Sequence, residues 1–500
     1  MVGRMSMHPL LSALRSERPA LHWAGCWYDY AELAERALRC AAGLQDRGVQ
    51  PGDAVAVLAP NHIIHVDLML ACMQTGVVYA PLNTRLAAPE QHRLIQRIRP
   101  AQVFCAPDWE DRIGQPTCPI ESVDPSEAWL GASPLLDLPP ADRTATAMLL
   151  QTGGSTGLPK AACIPLRQIL ANARNTVLAW GLSRDDCVLQ ATPAFHAAVN
   201  VLSTPIWSTG GRVVWLPQFD PGAYLADVQQ HQATVLFLVP TMYQMLAEHP
   251  AFETADLSSV RFAISGGAPC PAPIRARFAA KGVPFRQGYG LTEAGVNCFT
   301  IDQAAADRAP DAVGCPMPDT QAVLRDPDGR PVEPGAVGEL TLAGEHVFDG
   351  YLGQPDETEA ALRNGWLWTG DLARVGEDGL WRIVGRRKEL FISGGENVYP
   401  AEVEQAVVTH TPATQCAVLP VPDARWGEAG VAAVAGCDWP IEQLREALKP
   451  HLAGYKIPRH VLHLTELPTT GAGKIDKPAL RRRAMTVLNL EETHEPAASG

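Results

Sequence analysis

Hydrophobic residues recur at two spacings in the first 240 positions, and these spacings alternate along the chain. Between Tyr28 and Arg47, apolar residues repeat three and four positions apart behind Asp29, and Gly48 follows as a stop signal. Residues 53–58 (DAVAVL) form a short apolar run typical of a buried strand. A second helix is expected over 63–75 and a strand over 77–80, and the same order returns at 224–239. Strands that alternate with helices indicate a layered α/β architecture.

The pattern changes twice further along the chain. Between 314 and 384, turn dipeptides such as Asp328-Gly329 separate short apolar runs, which predicts a β-rich subdomain with hairpins. From Pro400 a helix is expected, and strands at 416–419 and 461–464 flank a helix near 441–448. We therefore predict an α/β fold: a large layered N-terminal domain over 1–386, with the β-rich subdomain inside it, and a small α+β C-terminal domain over 389–500.

Composition and charge narrow the classes of ligand. A chain of 500 residues with 46% hydrophobic residues is too long for one core and can bury more than one. Its 41 Lys and Arg against 54 Asp and Glu give a net charge of −13, so we expect no nucleic-acid partner. An anionic ligand would have to be held by a few local cations and backbone N–H groups.

Cysteine spacing and apolar runs bear on metals, membranes and compartment. The 12 cysteines are scattered without a C-x-x-C pair, and no H-E-x-x-H motif occurs, which disfavours structural zinc and thioredoxin-like redox chemistry. We expect no membrane span, because no run of 18 apolar residues is present, and no signal-peptide pattern opens the sequence. So many thiols favour a reducing compartment, and we expect a cytoplasmic protein.

The segment over 149–160 (LLQTGGSTGLPK) carries the strongest chemical signal. An apolar strand runs into three glycines, three hydroxyl side chains and Lys160 within nine residues. Glycines let a backbone approach a ligand and turn its N–H groups inward, and hydroxyls and lysine add donors. This composition predicts a polyphosphate cradle. It differs from the P-loop of NTPases, because Ala161 and Ala162 stand where a Ser or Thr would bind magnesium and no helix start is visible.

Five further segments place reactive side chains beside glycines or at a domain junction. Residues 287–293 (QGYGLTE) end in Glu293, a candidate Mg²⁺ ligand, because a carboxylate beside a triphosphate needs a cation between them. Asp371 is expected to end an aromatic strand, and its two oxygens suit a vicinal diol. Residues 385–389 (GRRKE) lie at the junction, although such a charge run also suits a solvated turn. Residues 391–400 are expected to form a glycine-pair loop ahead of a helix, and a flexible loop over 468–477 presents Lys474.

Together these segments resemble the motifs of the adenylate-forming superfamily: acyl- and aryl-CoA synthetases, adenylation domains of peptide synthetases, and firefly-type luciferases. The resemblance covers nearly the whole chain, from about residue 10 to Lys477. It implies that the C-terminal domain is a mobile lid. It also implies an AMP-forming acid–thiol ligase, an acyl-CoA synthetase, that uses ATP, Mg²⁺ and coenzyme A.

The resemblance also implies roles for individual residues. Lys474 matches the catalytic lysine, which withdraws as the C-terminal domain turns about a hinge at Lys388, and Thr292, Glu293 and His196 complete the catalytic set. Thr152 and Glu293 would hold the metal, and Gly394 and Gly395 would line the path of coenzyme A. The residues implied to bind ATP and AMP are Thr152, Gly153, Gly154, Ser155, Thr156, Gly157, Lys160, Gly266, Gly267, Ala268, Pro269, Tyr289, Gly290, Asp371 and Arg386. Gly153 and Ala161 depart from the usual pattern, and neither departure removes a charge.

The acid itself is expected to meet residues 192–200 (TPAFHAAVN). Superfamily members that activate amino acids carry an Asp where this chain has His196, and no Lys or Arg is present there to bind a second carboxylate. His196, Ala197, Ala198, Gly288 and Val296 are the expected acyl-pocket residues, and a fatty or aryl monocarboxylate is the expected substrate. His196 fits both the border of an acyl channel and a packed core histidine.

Several alternatives remain open from the sequence. The acyl group could pass to the phosphopantetheine of an acyl carrier protein instead of coenzyme A, and luciferase-type oxygenation would use the same adenylation residues. A catalytically inactive nucleotide-binding protein would be expected to have lost Lys474, Glu293 or Asp371, and all three are present. A kinase would release ADP. The sequence allows a monomer or a homodimer.

Overall fold

The computed structural model describes residues 10, 16–114, 116–123, 126–135, 138, 140–152, 160–469, 475–488 and 490. They fall into two compact units, the first within 1–270, 274–323 and 341–369, the second within 271–273, 324–340 and 370–500. The predicted hinge between 386 and 389 stays a prediction, because a hinge is a statement about motion. No helix in the described ranges is long and apolar enough to cross a membrane.

Thirteen α-helices occur in the described residues. They are α1 (Tyr30–Asp46), α2 (Ile63–Thr75), α3 (Ala88–Ile98), α4 (Leu166–Trp180), α5 (Val199–Thr209), α6 (Pro221–His231), α7 (Pro240–Glu248), α8 (Ala272–Ala280), α9 (Gln303–Arg308), α10 (Pro355–Ala361), α11 (Pro400–His410), α12 (Ile441–Leu448) and α13 (Lys477–Val487).

The strands of the layered region are β1 (Pro19–Trp23), β2 (Cys26–Asp29), β3 (Ala54–Leu58), β4 (Val78–Pro81), β5 (Gln102–Cys105), β6 (Ile120–Ser122), β7 (Thr146–Thr152), β8 (Lys160–Pro165), β9 (Cys187–Gln190), β10 (Arg212–Trp215), β11 (Val235–Leu238), β12 (Phe262–Ser265) and β13 (Phe285–Gln287). The later strands are β14 (Phe299–Thr300), β15 (Cys315–Pro316), β16 (Gln321–Arg325), β17 (Gly338–Ala343), β18 (Leu362–Arg363), β19 (Trp366–Val375), β20 (Trp381–Arg386), β21 (Phe391–Ser393), β22 (Glu396–Val398), β23 (Gln415–Asp423), β24 (Gly427–Ala435) and β25 (His460–Leu464).

Two largely parallel sheets dominate the first unit, which confirms the predicted α/β class. One sheet has the order β6-β5-β3-β4-β7-β8 and the other the order β13-β12-β11-β9-β10-β1-β2, and each has one antiparallel pair at an edge. The helix starts follow the sequence signals. Asp29 and Glu32 form a reciprocal capping box at α1, and Gly76 ends α2 in the left-handed conformation.

The second unit contains a five-stranded sheet of β21 to β25 whose alternate residues face two different cores. Val418 and Val434 pack with α11 and α12, while Leu419 and Val431 pack with α13. This period-2 pattern places helices on both faces of the sheet, as the predicted α+β domain requires. The chain passes from one unit to the other within three strands of the predicted β-rich region, β16, β17 and β19.

Candidate active site

The antiparallel pair of β7 and β8 carries the two described ends of the predicted phosphate loop. Thr152 lies opposite Lys160 in the pairing, and β8 continues as a strand, so the loop leads into no helix. The positions predicted from Gly153 to Gly157 lie outside the described residues and stay predictions. The Oγ1 atom of Thr152 is buried and has no hydrogen-bond partner among the described residues.

Lys160 is part of a chain of contacts that reaches Glu293. Its Nζ forms an ion pair with Glu357 and lies 4.7 Å from the ring centroid of Tyr351. The Tyr351 hydroxyl donates a hydrogen bond of 2.9 Å to Glu293 Oε1. The fold therefore brings together the predicted phosphate lysine and the predicted metal ligand. Tyr351 and Glu357 were missed by the sequence reasoning, because nothing in the local pattern around residues 350–358 separates them from an ordinary surface turn.

The backbone of Thr292 and Glu293 is fixed from two sides. Gln168 Nε2 donates to the Thr292 carbonyl at 2.8 Å, and the Phe348 N–H donates to the Glu293 carbonyl at 2.9 Å. Both residues lie in a short 3₁₀ turn, Thr292–Ala294. Rigid support of this kind is what a binding carboxylate needs if its position is to be set before a ligand arrives.

The loop before this turn tolerates only glycine at position 290. A Cβ atom there would lie 1.9 Å from the carbonyl oxygen of Val296, well inside contact distance. Val296 itself has a φ of +73°, which is strained for a β-branched residue. Strained backbone that persists between tightly packed neighbours is typical of functional sites.

Gln287 joins the two predicted walls of the adenine pocket. Its Nε2 donates to the carbonyls of Ser265 and Ala268 at 3.2 and 3.1 Å, and its Oε1 accepts a hydrogen bond from the Cys270 N–H at 2.9 Å. The predicted residues 266–269 therefore lie beside Gln287, and the Gly288 N–H donates to the Ser265 carbonyl at 2.7 Å. Sequence reasoning included Gln287 in its motif and gave it no role.

Two cavities flank the start of α5, and each has a volume of about 10 Å³, room for about one water molecule. Both are lined by Leu150 and Asn200. The first is also lined by Ala197, Thr292 and Val296, and the second by His196, His65 and Trp215. Of the predicted acyl-pocket residues, Ala198 and Gly288 line neither of these two cavities. The assignment of all five residues to the acyl pocket stays a prediction.

His65, which sequence reasoning missed, is neutral in this environment. Burial lowers its pKa to about 4. Its Nε2 lies 3.0 Å from the carbonyl of Pro60, and the Tyr79 hydroxyl is 2.6 Å from its Nδ1. A proton on Nε2 satisfies this geometry, because Nδ1 then accepts from the phenol.

In the second unit, Asp371 and Arg386 face each other across β19 and β20. Arg386 Nε lies 3.3 Å from Asp371 Oδ1, and the two residues are paired in the strand register. The expectation that Asp371 ends its strand was wrong, because β19 continues to Val375 through this pairing. Glu339, also missed, is buried and accepts a hydrogen bond from the Gly370 N–H at 3.1 Å.

Lys388 is exposed in a 3₁₀ turn, Arg387–Glu389, that follows β20 directly. Its neighbour Glu389 pairs with the half-buried amine of Lys477 at 2.6 Å, and Glu404 pairs with the same amine at 2.8 Å. Burial is the largest single influence on the pKa of Lys477 and lowers it. The two carboxylates together outweigh burial, so the pKa lies above its usual value. Lys474 lies outside the described residues.

The glycine pair over 394–395 forms the turn of a hairpin between β21 and β22, and α11 follows at Pro400 as expected. The segment expected as a loop thus contains two short strands. Both glycines have positive φ, 63° and 86°, as a two-residue turn of this kind requires. The Gly394 N–H donates to the Trp426 carbonyl at 2.9 Å, and a Cβ at Gly394 would lie 2.4 Å from the Trp426 ring.

Comparison with known proteins identifies the family. The model of the AMP-binding enzyme family matches residues 12–352, and that of the AMP-binding enzyme C-terminal domain matches residues 402–474. The chain belongs to the AMP-binding enzyme family. This membership confirms the predicted superfamily. The CoA ligases among the relatives confirm the predicted class, a ligase that activates a carboxylic acid with ATP and transfers the acyl group to coenzyme A.

The relatives of this AMP-binding enzyme include two ligases that are named after aromatic acids. The chain is 39% identical to a feruloyl-CoA synthase from an Amycolatopsis species, covering 96% of this chain and 98% of that protein. It is 32% identical to an indoleacetate–CoA ligase from Aromatoleum aromaticum, over 93% and 94% of the two chains. Among solved structures, o-succinylbenzoate CoA synthetase from Bacillus subtilis, in complex with its acyl-adenylate intermediate, has a TM-score of 0.86 and 28% identity, covering 95% of this chain and 98% of that one.

The residues present in this AMP-binding enzyme fit ATP and Mg²⁺. The buried Thr152 Oγ1 has no protein partner in the part of the chain that the structure describes, as expected for an atom that meets a ligand. Glu293 supplies a carboxylate, the ligand type that Mg²⁺ prefers. Lys160 places a cation at the end of the predicted phosphate loop on a protein of net charge −13.

Proposed function

We propose that this enzyme converts an aromatic monocarboxylic acid to its coenzyme A thioester through an acyl-adenylate. The linked contacts Lys160–Tyr351–Glu293 beside Thr152 support the adenylation step, because they place one cation and one carboxylate at the edge of the phosphate loop. The aromatic assignment rests on the names of the two ligases, at 39% and 32% identity over nearly the whole chain. The uncharged residues around His196 are compatible with it.

In the first half-reaction, the substrate carboxylate attacks the α-phosphorus of ATP. The new C–O–P bond forms as the bond to the β-phosphate oxygen breaks, and pyrophosphate leaves. The acid is already ionised near neutral pH, so the step needs no general base. Positioning and charge stabilisation are the protein's contribution. When bound, Mg²⁺ neutralises charge on the phosphates, and we assign its protein ligands to Thr152 and Glu293.

We assign the remaining contacts to the nucleotide by position. Lys160 and Thr292 would contact the phosphates, and Tyr289 with residues 266–269 would enclose the adenine. Asp371 would bind the ribose diol, with Arg386 beside it. Lys474 would bridge the carboxylate and the α-phosphate as a compact charge on a flexible stem.

In the second half-reaction, the thiol of coenzyme A attacks the acyl carbon, the thioester forms and AMP leaves. We propose that the C-terminal domain turns about Lys388 between the two steps, withdrawing Lys474 and bringing the hairpin of Gly394 and Gly395 to the thiol path. The enzyme would work in the cytoplasm, where a reducing environment keeps its twelve free cysteines as thiols. An acyl carrier protein is the competing acceptor.

Pyrophosphate release measured across arylcarboxylic, arylpropenoic, fatty and dicarboxylic acids tests the proposal. We expect aromatic monocarboxylates to react fastest, and a thioester to form with coenzyme A in preference to a holo carrier protein. Accumulation of ADP instead of AMP and pyrophosphate would refute the reaction. Preference for a fatty acid would refute the substrate class alone.

A variant separates the two half-reactions. Lys474→Ala is expected to cripple acyl-adenylate formation and to spare thioester formation from supplied acyl-adenylate. Equal loss in both half-reactions would contradict the proposed alternation of the C-terminal domain.

A further inference from the structure

Tyr351 contacts both charged side chains that the proposed function assigns to the metal and the phosphates. Its hydroxyl donates to Glu293 Oε1 at 2.9 Å, and its ring lies 4.7 Å from Lys160 Nζ. Among the described residues, Tyr351 is the side chain that joins these two groups. One tyrosine therefore influences where the carboxylate and the ammonium sit.

The Tyr351 hydroxyl is held as a hydrogen-bond donor. The negatively charged carboxylate of Glu293 has no hydrogen to donate, so the phenol is the donor in this contact. A protonated phenol has a single hydrogen to donate, and here it goes to Oε1. The contact occupies Oε1 and restrains the orientation of the carboxylate.

The backbone around Tyr351 is held between β8 and α10. The Tyr351 N–H donates to Thr358 Oγ1 at 2.9 Å, and the Leu352 N–H donates to the Ala161 carbonyl at 2.8 Å. Gly350 has a φ of +125°, and a Cβ there would lie 2.4 Å from Thr358 Cγ2, so the chain and the helix approach closely at this point. The side chain of Tyr351 therefore projects from a rigid support.

We propose that Tyr351 is a positioning residue for adenylation, which orients Glu293 toward Mg²⁺. This inference rests on the proposed function. A carboxylate that binds a metal is commonly oriented by a second hydrogen-bonding residue, and loss of that residue lowers metal affinity about 10- to 100-fold. The phenol has this relation to Glu293, and it holds whether or not the phenol contacts any ligand itself.

The direct test is metal binding by Tyr351→Phe, which keeps the ring beside Lys160 and removes the hydroxyl. Mn²⁺ is titrated into the protein with α,β-methylene-ATP, which cannot be adenylated, and free Mn²⁺ is measured by electron paramagnetic resonance. We expect Mn²⁺ to bind about tenfold more weakly than to the unmodified enzyme. Tyr455→Phe is the matched control, because Lys456 Nζ lies 5.8 Å from the Tyr455 ring, and its Mn²⁺ affinity should not change.

A second background shows whether the phenol acts through Glu293. In Glu293→Gln, the further change Tyr351→Phe should have no additional effect on Mn²⁺ affinity, and a persisting tenfold effect would overturn the inference. Unchanged Mn²⁺ affinity in Tyr351→Phe alone, at an unchanged melting temperature, would also overturn it. If Tyr351→Phe does not fold, 4-aminophenylalanine at position 351 keeps an N–H donor at the place of the hydroxyl and should keep the full Mn²⁺ affinity. A tenfold loss of Mn²⁺ affinity in that protein, at an unchanged melting temperature, would refute the role.

The outcomes separate this inference from the proposed function. If the unmodified enzyme releases no pyrophosphate with any acid, the proposed function is refuted. If it releases pyrophosphate and Tyr351→Phe retains the full Mn²⁺ affinity, only the role of Tyr351 is refuted.

Discussion

Glu357 neutralises the lysine that the proposed function assigns to the phosphates, so its removal should strengthen ATP binding. The carboxylate forms an ion pair with Lys160, whose side chain is 15% exposed, while that of Glu357 is 39% exposed. Incoming phosphates must compete with Glu357 for the same ammonium. Glu357→Gln keeps the shape of the side chain and removes the competing charge.

The magnitude follows from the exposure of the pair. Fully exposed ion pairs are worth about 0.2–1 kcal/mol, and loss of one partner of a buried pair costs about 3–5 kcal/mol. This pair lies between the two limits, and solvent at the partly exposed Glu357 screens it, so we expect about 1 kcal/mol, or about a fivefold lower Kd for ATP.

Calorimetric titration with α,β-methylene-ATP measures this change directly. Glu359→Gln is the matched control, because Glu359 lies on the same helix, is exposed, and loses the same charge on substitution. Its ATP affinity should change by less than twofold. Weaker binding in Glu357→Gln would show that Glu357 positions Lys160 productively and would refute the competition. In Lys160→Met, Glu357→Gln should have no further effect.

Three further predictions concern stability. Gly290→Ala should destabilise the fold by about 1–3 kcal/mol in urea unfolding, because its Cβ would lie 1.9 Å from the Val296 carbonyl oxygen. Gly454→Ala is the control, since Gly454 has open space around it and its substitution should change the free energy of unfolding little. Equal stability of the two variants would contradict the close approach. Thr204→Val should leave stability unchanged or raise it by up to about 1 kcal/mol, because the buried Thr204 hydroxyl has no partner among the described residues. Thr176→Val should cost about 1–3 kcal/mol, since the Thr176 hydroxyl donates to the Asn172 carbonyl at 2.7 Å and accepts from Asn297 Nδ2 at 2.8 Å. The reverse order of urea midpoints would refute this. Between pH 7 and pH 5, the protein should lose about 2 kcal/mol of stability through His65. The reason is that His65 takes up a proton near pH 6.5 when unfolded and only near pH 4 when folded, so stability is lost as the pH falls through this window. A His65→Gln variant with an equally steep pH dependence of stability would show that other groups are responsible.

The elements that the sequence predicted well are those whose signals are local. Helix α1 begins after Asp29 because a single side chain caps it, and α2 ends at Gly76 because glycine adopts the left-handed conformation cheaply. The alternation of strands and helices was enough for the α/β class. Asp371 was placed on the right strand, but it does not end that strand, because β19 continues through its pairing with β20. The segment around the glycine pair at 394–395 was expected as a loop and contains two short strands, because β21 and β22 pair with each other.

From the sequence, the glycines, hydroxyls and lysine within nine residues were enough to predict a phosphate-binding loop on an acidic protein. The class of reaction came from the resemblance of several such segments together to the adenylate-forming superfamily. Tertiary structure alone decided which side chains act on that lysine and on Glu293. Lys160 and Glu357 are 197 positions apart, and Glu293 and Tyr351 are 58 apart. No periodicity connects such positions, because their contact depends on β8 pairing with the segment around Tyr351 and on α10 packing behind it.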